Sequence, residues 1–139
     1  MTWLLWSLLS AGFAAATAIL AKIGVTGVDS NVATAIRTSV IVVFTWGIAL
    51  ATAKPGSVAG LTGRTWLFLA LSGLATGLSW ICYFRALQLG PASRVAPIDK
   101  LSVVLVIVLA AIFLGERLSV GKVLGGLMIA GGAIVLALE

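Results

Sequence analysis

The sequence predicts an all-helical (all-α) polytopic membrane protein with five transmembrane helices. Of its 139 residues, 61% are apolar and only 9% are charged, whereas soluble domains carry about 25% charged residues. The apolar residues gather in runs close to the roughly 20 residues that a helix needs to cross a bilayer. The short alternating segments of a transmembrane barrel do not occur. We expect one transmembrane domain over residues 1–139, with helices at about 3–21, 32–53, 65–84, 95–114 and 120–138.

The first two predicted helices are bounded by aromatic, cationic and turn-forming residues. Tryptophans open the first helix at an expected headgroup depth, and Lys22 closes it. A glycine-containing turn follows, after which Ser30 or Asn31 is expected to cap the second helix. The second helix carries Arg37 about two turns in. Because a charge inside a membrane segment is costly, Arg37 is a candidate for holding a solute.

The third predicted helix has a polar stripe beside a glycine stripe. Helical spacing puts four polar side chains on one face: Ser72, Thr76, Ser79 and Tyr83. Beside them lie Gly73, Gly77 and Trp80, and the two glycines would let another helix backbone approach closely. One interpretation is helix packing, with each hydroxyl bonded to its own backbone. The other is a cavity wall, in which hydroxyls bind a solute and Trp80 and Tyr83 form an aromatic platform.

The fourth predicted helix has an apolar run that is too short to cross a bilayer alone. Residues 101–114 would reach about 21 Å, less than the roughly 30 Å hydrocarbon core. The preceding Asp99 and Lys100 should therefore lie at membrane depth, where charges mark functional sites. Because neighbouring helical residues point about 100° apart, we expect that they do not share a face.

The fifth predicted helix offers packing surfaces and few polar groups. Ser119 is expected to cap it, and Gly115 to take a left-handed conformation after the fourth helix. We expect glycines to provide contacts with neighbouring helices or with a second copy: Gly121, Gly125 and Gly132, with Gly73 and Gly77 of the third helix.

Several function classes are disfavoured by composition. The chain has no histidine and one cysteine, so we expect no metal site, no cofactor and no catalytic residue. The net charge is +5, but the cations stand singly at segment ends, which fits lipid headgroups better than nucleic acid. The cations are also nearly balanced between the two ends of the helices, so orientation is weakly specified and insertion both ways is permitted.

Three hypotheses for Asp99 remain open. Asp99 could neutralise Arg37 or the Lys100 of a second copy, in a structural ion pair. It could instead couple transport to a proton or solute, with Lys100 or Arg37 holding an anion. Both charges could also simply lie at the membrane interface, with Lys100 extended toward the headgroups.

The ordered motifs resemble those of the EamA-type drug/metabolite transporter superfamily. The matching positions are Ala86-Leu87, Ala92-Ser93-Arg94, the Gly-Glu-Arg-Leu-Ser run at 115–119, and Arg37 near the start of the second helix. Longer members look like two five-helix halves in inverted orientation. By this resemblance the chain is one half of a ten-helix inverted-repeat transporter fold, similar to the five-helix bacterial and archaeal branch.

The resemblance implies a secondary transporter of small metabolites, either exporter or importer, in a prokaryotic cytoplasmic (inner) membrane. Its expected partners are a small solute, the lipid bilayer and a second copy of the chain, in an antiparallel homodimer. The alternative is a non-transporting membrane subunit that docks a partner through its glycine-rich faces. A membrane enzyme is the least favoured class, because only Asp99 could carry out chemistry at membrane depth.

Overall fold

The computed structural model describes residues 2–54 and 56–139. It contains these helices: α1 (Trp3–Gly24), α2 (Ser30–Thr52), α3 (Gly63–Leu89), α4 (Ala92–Asp99), α5 (Ser102–Phe113) and α6 (Val120–Leu138). No strand occurs in the described part of the chain. Helices α4 and α5 form one candidate membrane span, Ala92–Phe113, so there are five candidate spans in all. The prediction of an all-helical membrane protein with five spans is confirmed.

Two helix boundaries differ from the sequence prediction around Gly90 and Pro91. Helix α3 continues to Leu89 instead of ending near residue 84, and α4 begins at Ala92 instead of near residue 95. Residues 85–89 contain no glycine or proline, so nothing stops the helix before Gly90. Pro91 cannot continue α3, but its fixed φ suits the position before a new helix. The fourth candidate span is therefore longer than its apolar run.

Side chains satisfy the first backbone N–H groups of two helices. Asp29 caps α2, where its Oδ1 accepts hydrogen bonds from the backbone N–H groups of Asn31 at 2.9 Å and Val32 at 3.1 Å. The expectation of Ser30 or Asn31 as the cap is therefore wrong. A carboxylate at this end also complements the helix dipole. Ser119 caps α6 as predicted, because its Oγ accepts from the Lys122 N–H at 3.2 Å.

The helices divide into two compact units, which we describe separately. The first unit comprises the chain up to Lys22 together with Leu89–Glu139, and the second comprises Ile23–Gln88. In the first unit, α4 and α5 pack against α6, and the Lys22 Nζ donates to the Gly90 carbonyl at 2.8 Å. In the second unit, the Gln88 Nε2 donates to the Val28 carbonyl at 2.5 Å.

Few side chains are buried in either unit. The buried apolar residues are Ala18, Ala21 and Ala133 in the first unit, and Val25, Phe84 and Leu87 in the second. Large apolar side chains are mostly exposed, for example Phe13 at 73%, Val43 at 74% and Phe113 at 78%. Such a surface is unstable in water but suits lipid, whose tails are as apolar as the side chains themselves.

Candidate functional site

The fourth candidate span is interrupted at its charged residues. Helix α4 ends at Asp99 and α5 begins at Ser102. The Lys100 N–H is shared between the carbonyls of Ala96 at 3.3 Å and Pro97 at 3.1 Å, which tightens the chain into a 3₁₀-like turn. Pro97 lies inside α4 and lacks an N–H, which further weakens the helical hydrogen bonding there. We call residues 99–101 the helix break.

The helix break lies well inside the candidate span. Asp99 and Lys100 are preceded by seven and eight residues of Ala92–Phe113, so they lie roughly 12 Å along a helix of about 33 Å. The Lys100 Nζ lies 3.4 Å from the Asp99 Oδ2. The two charged groups meet although adjacent helical positions point about 100° apart, because the flexible lysine folds back onto its neighbour at the turn.

This ion pair is loose and exposed. Its 3.4 Å separation exceeds the 2.7–2.9 Å typical of a strong charge-assisted hydrogen bond. The side chains of Lys100 and Asp99 are 57% and 36% exposed within the single chain. Both side chains can therefore still reach a solute, water or a second copy.

The second unit has a candidate site of its own, where Arg37 of α2 contacts aromatic rings of α3. The Arg37 Cζ lies 4.1 Å from the centroid of the Trp80 ring and 5.5 Å from that of Phe84. Trp80 and Phe84 are four residues apart and so lie on one face of α3. Tyr83 is near enough to interact electrostatically with Arg37. We call Arg37, Trp80 and Phe84 the arginine–tryptophan cluster.

Phe84 is the member of this cluster that we did not predict as a site residue. Its side chain is buried, at 3% exposure, whereas Arg37, Trp80 and Tyr83 are half-buried. The signal was present in the sequence, because Phe84 follows Trp80 at helical spacing. Phenylalanine has no polar atom, however, so it was not distinguishable from a packing residue.

The predicted polar stripe of α3 is open along most of its length. Ser72, Thr76 and Ser79 are exposed. The Thr76 Oγ1 donates to the Ser72 carbonyl at 2.9 Å, and threonines of α2 such as Thr38 bond to their own helix in the same way. These bonds satisfy the hydroxyl hydrogens and leave the oxygen lone pairs free to accept.

The glycines predicted to make contacts are open in the single chain. A Cβ added at any of four of them would meet no described atom within 4 Å: Gly73, Gly77, Gly125 and Gly132. At Gly121 it would meet only the Ser119 Oγ, at 3.9 Å. The contact within the chain is made by the neighbouring Gly126, where a Cβ would lie 3.6 Å from Ile107 Cδ1. The role of the five glycines in binding a second copy stays a prediction.

A cavity of about 430 Å³ lies at the end of α2. It is lined by Trp46, Leu50, Lys54 and residues of the following loop. None of the predicted site residues contributes to its wall. No group of histidine, cysteine or acidic side chains that could hold a metal ion occurs in the residues that the structure describes.

Comparison with known proteins gives one family and one close relative. The family model described as "EamA-like transporter family" matches residues 1–138. A Sinorhizobium sp protein named "Uncharacterized transporter in cobO 3'region" is 54% identical over 136 residues, which cover 98% of this chain and 96% of that protein. No solved structure matches. With five candidate spans, these matches identify an integral membrane protein of the bacterial inner-membrane type.

Proposed function

Since this chain belongs to the EamA-like transporter family, we propose that it is a secondary transporter of small metabolites that acts as a dimer of five-span protomers. The main observation in support of a dimer, and of a solute path between its two subunits, is the exposed helix break inside the fourth span. Two opposite charges facing lipid tails would cost several kcal/mol. A second copy, or a water-filled path between two copies, removes that cost.

Open glycines support the same arrangement. The faces at Gly73, Gly77, Gly121, Gly125 and Gly132 are uncovered within the chain, and small residues are the usual contact points between membrane helices. We propose that these faces contact the second copy. If the two copies insert in opposite orientations, they recreate an inverted repeat, with the solute path near the membrane midplane.

We propose separate roles for the polar residues of the two units, with solute contacts in the second unit and coupling in the first. The α3 stripe of Ser72, Thr76, Ser79 and Tyr83 would line the solute path, and Trp80 would present an aromatic face beside Arg37. Asp99 is the proposed coupling carboxylate, with Lys100 as its counter-ion. A carboxylate that changes between water and a closed interior changes its proton affinity, which is how such groups couple movements.

The second candidate function is a non-transporting subunit that docks another membrane protein. The open glycine faces favour it equally. It does not explain why the polar stripe of α3 is exposed, since a docking face gains most from apolar contacts. The two transporter comparisons, with a family and with a named relative, favour a transporter over an enzyme.

The test is counterflow in vesicles that contain the purified protein. Vesicles are loaded with one unlabelled solute at a time from a panel of amino acids, organic acids, nucleosides, sugars and organic cations. Labelled solute is then added outside, and its accumulation is measured. We expect accumulation for at least one solute and none in protein-free vesicles. If no panel member accumulates, while the dimer is present by crosslinking, the docking function replaces the transport function.

A further inference from the structure

The guanidinium of Arg37 is a positive charge inside a membrane span. Seven residues of Ser30–Thr52 precede it, which places it roughly 11 Å along the helix. Stacking on Trp80 at 4.1 Å lowers the energy of the charge through the ring quadrupole but does not neutralise it. Contact with a ring face leaves the guanidinium N–H groups without an ionic partner, and these groups are donors for an anion.

This chain has no carboxylate to spare for Arg37. It contains four acidic residues. Asp29 caps α2, Asp99 pairs with Lys100, and Glu116 pairs with Lys122 at 2.9 Å. The fourth is Glu139, which lies beyond the end of α6. In the described part of the chain, no ion pair joins Arg37 to a carboxylate.

A second copy of the chain would add more positive than negative charge, because each copy carries a net charge of +5. Of its four acidic residues, Asp29, Asp99 and Glu116 already have partners, and Glu139 lies beyond the end of α6. If Asp99 paired with Arg37, Lys100 would be left unpaired inside its span. The free-energy cost of an unpaired charge in the membrane would then fall on Lys100 instead of Arg37. An anion from outside the protein would neutralise Arg37 without unpairing Asp99 from Lys100.

The arrangement of donors indicates what kind of anion fits. A planar guanidinium fork matches the two oxygens of a carboxylate, which it can bind through two parallel hydrogen bonds. Contacts with the Trp80 and Phe84 rings restrict the Arg37 side chain, so less side-chain entropy is lost on binding.

We propose that the arginine–tryptophan cluster is the recognition site for the carboxylate of a small organic acid. This inference rests on the proposed transport function, because it names the class of solute that the transporter carries. The carboxylate neutralises Arg37, and the neighbouring hydroxyls of the α3 stripe contact the remainder of the solute. Neutral solutes and organic cations lack the group that this site requires.

Binding can be tested without transport, in detergent-solubilised protein. The probe is sodium benzoate, compared with benzamide at equal ionic strength, because the two molecules share shape and differ in charge. We expect benzoate, and not benzamide, to raise the melting temperature. In Arg37→Gln the apparent affinity for benzoate should fall by about tenfold or more, as expected for the loss of a charge-assisted bidentate contact.

Two further variants control for folding and for general charge effects. Arg64→Gln removes an arginine that also stacks on a ring, Phe68, at 5.8 Å, but stands at the start of α3, and it should keep the wild-type response. Arg37→Lys keeps the charge and loses the fork, so its affinity should lie between those of wild type and Arg37→Gln. An equal benzoate response in wild type and Arg37→Gln would overturn the proposal, as would an equal response to benzoate and benzamide.

Counterflow separates this inference from the proposed function. If both hold, organic acids accumulate in wild type and not in Arg37→Gln, while Arg64→Gln behaves as wild type. If a sugar, nucleoside or cation accumulates and Arg37→Gln leaves its rate unchanged, transport stands and the carboxylate site is refuted. If nothing accumulates but benzoate binding depends on Arg37, the site stands and transport is refuted.

Discussion

Asp99 is the residue whose chemistry depends most directly on its depth in the membrane. Its carboxylate is only partly covered by Lys100, at a Nζ–Oδ2 distance of 3.4 Å, and lies inside the fourth candidate span. A single aspartate can serve both as ion-pair partner and as proton carrier. The protonated carboxyl is neutral, and the ionised carboxylate needs a counter-ion such as Lys100. These two roles differ in how the rate of transport responds to pH.

Asp99→Asn should abolish the pH dependence of solute transport. Asparagine keeps the shape but cannot take up or release a proton, so a proton-coupled rate that varies between acidic and neutral pH should become flat. Initial rates in vesicles across that range measure the effect. Glu116→Gln is the matched control, because Glu116 lies outside the candidate spans, in an exposed ion pair with Lys122 at the start of α6. If Asp99→Asn has the same pH profile as wild type, Asp99 does not carry a proton and its role is structural only.

Asp29→Ala should destabilise the start of α2. The Asp29 side chain accepts hydrogen bonds from two backbone N–H groups that otherwise have no partner. Loss of such a cap costs about 1 kcal/mol, which thermal unfolding in detergent would report as a lower melting temperature. Asp29→Asn retains the accepting oxygen and should unfold close to wild type. Equal losses in both variants would mean that charge, rather than capping, stabilises this end.

Single-residue features divide into those that can be predicted locally and those that cannot. The Ser119 cap and the left-handed Gly115, at φ +67°, follow from local backbone preferences and were predicted correctly. The cap of α2 is Asp29 rather than the predicted Ser30 or Asn31, because all three are good capping residues. The stack of Arg37 on Trp80 joins two helices, and no spacing within one helix predicts it.

At the scale of the elements, α6 presents two adjacent glycines to different surroundings. Gly126 is buried against Ile107 of α5, whereas Gly125 has open space where a side chain would begin. Substitutions at the two positions therefore form a matched pair. One tests packing within the single chain, and the other tests association between two copies. Sequence analysis identified the glycine-rich face but not which of these two glycines is used within the chain, because they differ by a rotation of only about 100°.

Gly126→Leu should destabilise the single chain, and Gly125→Leu should weaken only the dimer. Leucine at 126 would force α5 and α6 apart, at a cost of about 1–3 kcal/mol for overpacking. A Cβ at 125 meets no described atom within 4 Å, so we expect leucine there to be accommodated in the single chain but to obstruct close approach of a second copy. Melting temperature reports the first effect and crosslinked dimer yield the second. A normal dimer yield in Gly125→Leu would indicate that this face contacts lipid.

The helix break is the main element-level departure from the sequence prediction. The prediction placed Asp99 and Lys100 early in one continuous helix, on separate faces. The observed span begins earlier and contains a tight turn at Lys100. Pro97 was visible in the sequence, but where a proline-containing helix bends depends on the packing around it, and here α4 and α5 both pack against α6.

At the scale of the whole molecule, composition was sufficient to predict five helical spans and a membrane setting. The runs of apolar residues permit almost no other structure, because backbone groups in lipid must bond within their own segment. The same composition does not identify which helix faces contact each other. A helix that is apolar on all sides has no hydrophobic periodicity that would mark the face packed against a neighbour. The faces through which two copies would associate therefore have to be identified by experiment.

Dual insertion is the prediction that belongs to this scale. Cations lie near both ends of the helices, so neither end should be strongly held in the cytoplasm. Reporter fusions at the C-terminus, one active in the cytoplasm and one active outside it, should both give signal. Adding two lysines to the loop after α2 should bias the mixture toward one orientation. A single orientation in the unmodified protein would contradict the antiparallel dimer and leave a parallel one.

The small side chains buried in the first unit affect how its helices can move. They are alanines and a glycine: Ala18, Ala21, Gly126 and Ala133. Large interlocking side chains must change rotamer when one helix slides past another, and that exchange creates a barrier. Methyl groups and bare backbone have no rotamers to exchange. At these positions one side of each contact has no rotamer to change, so we expect sliding by a fraction of a helical turn to meet less resistance than between interlocked large side chains.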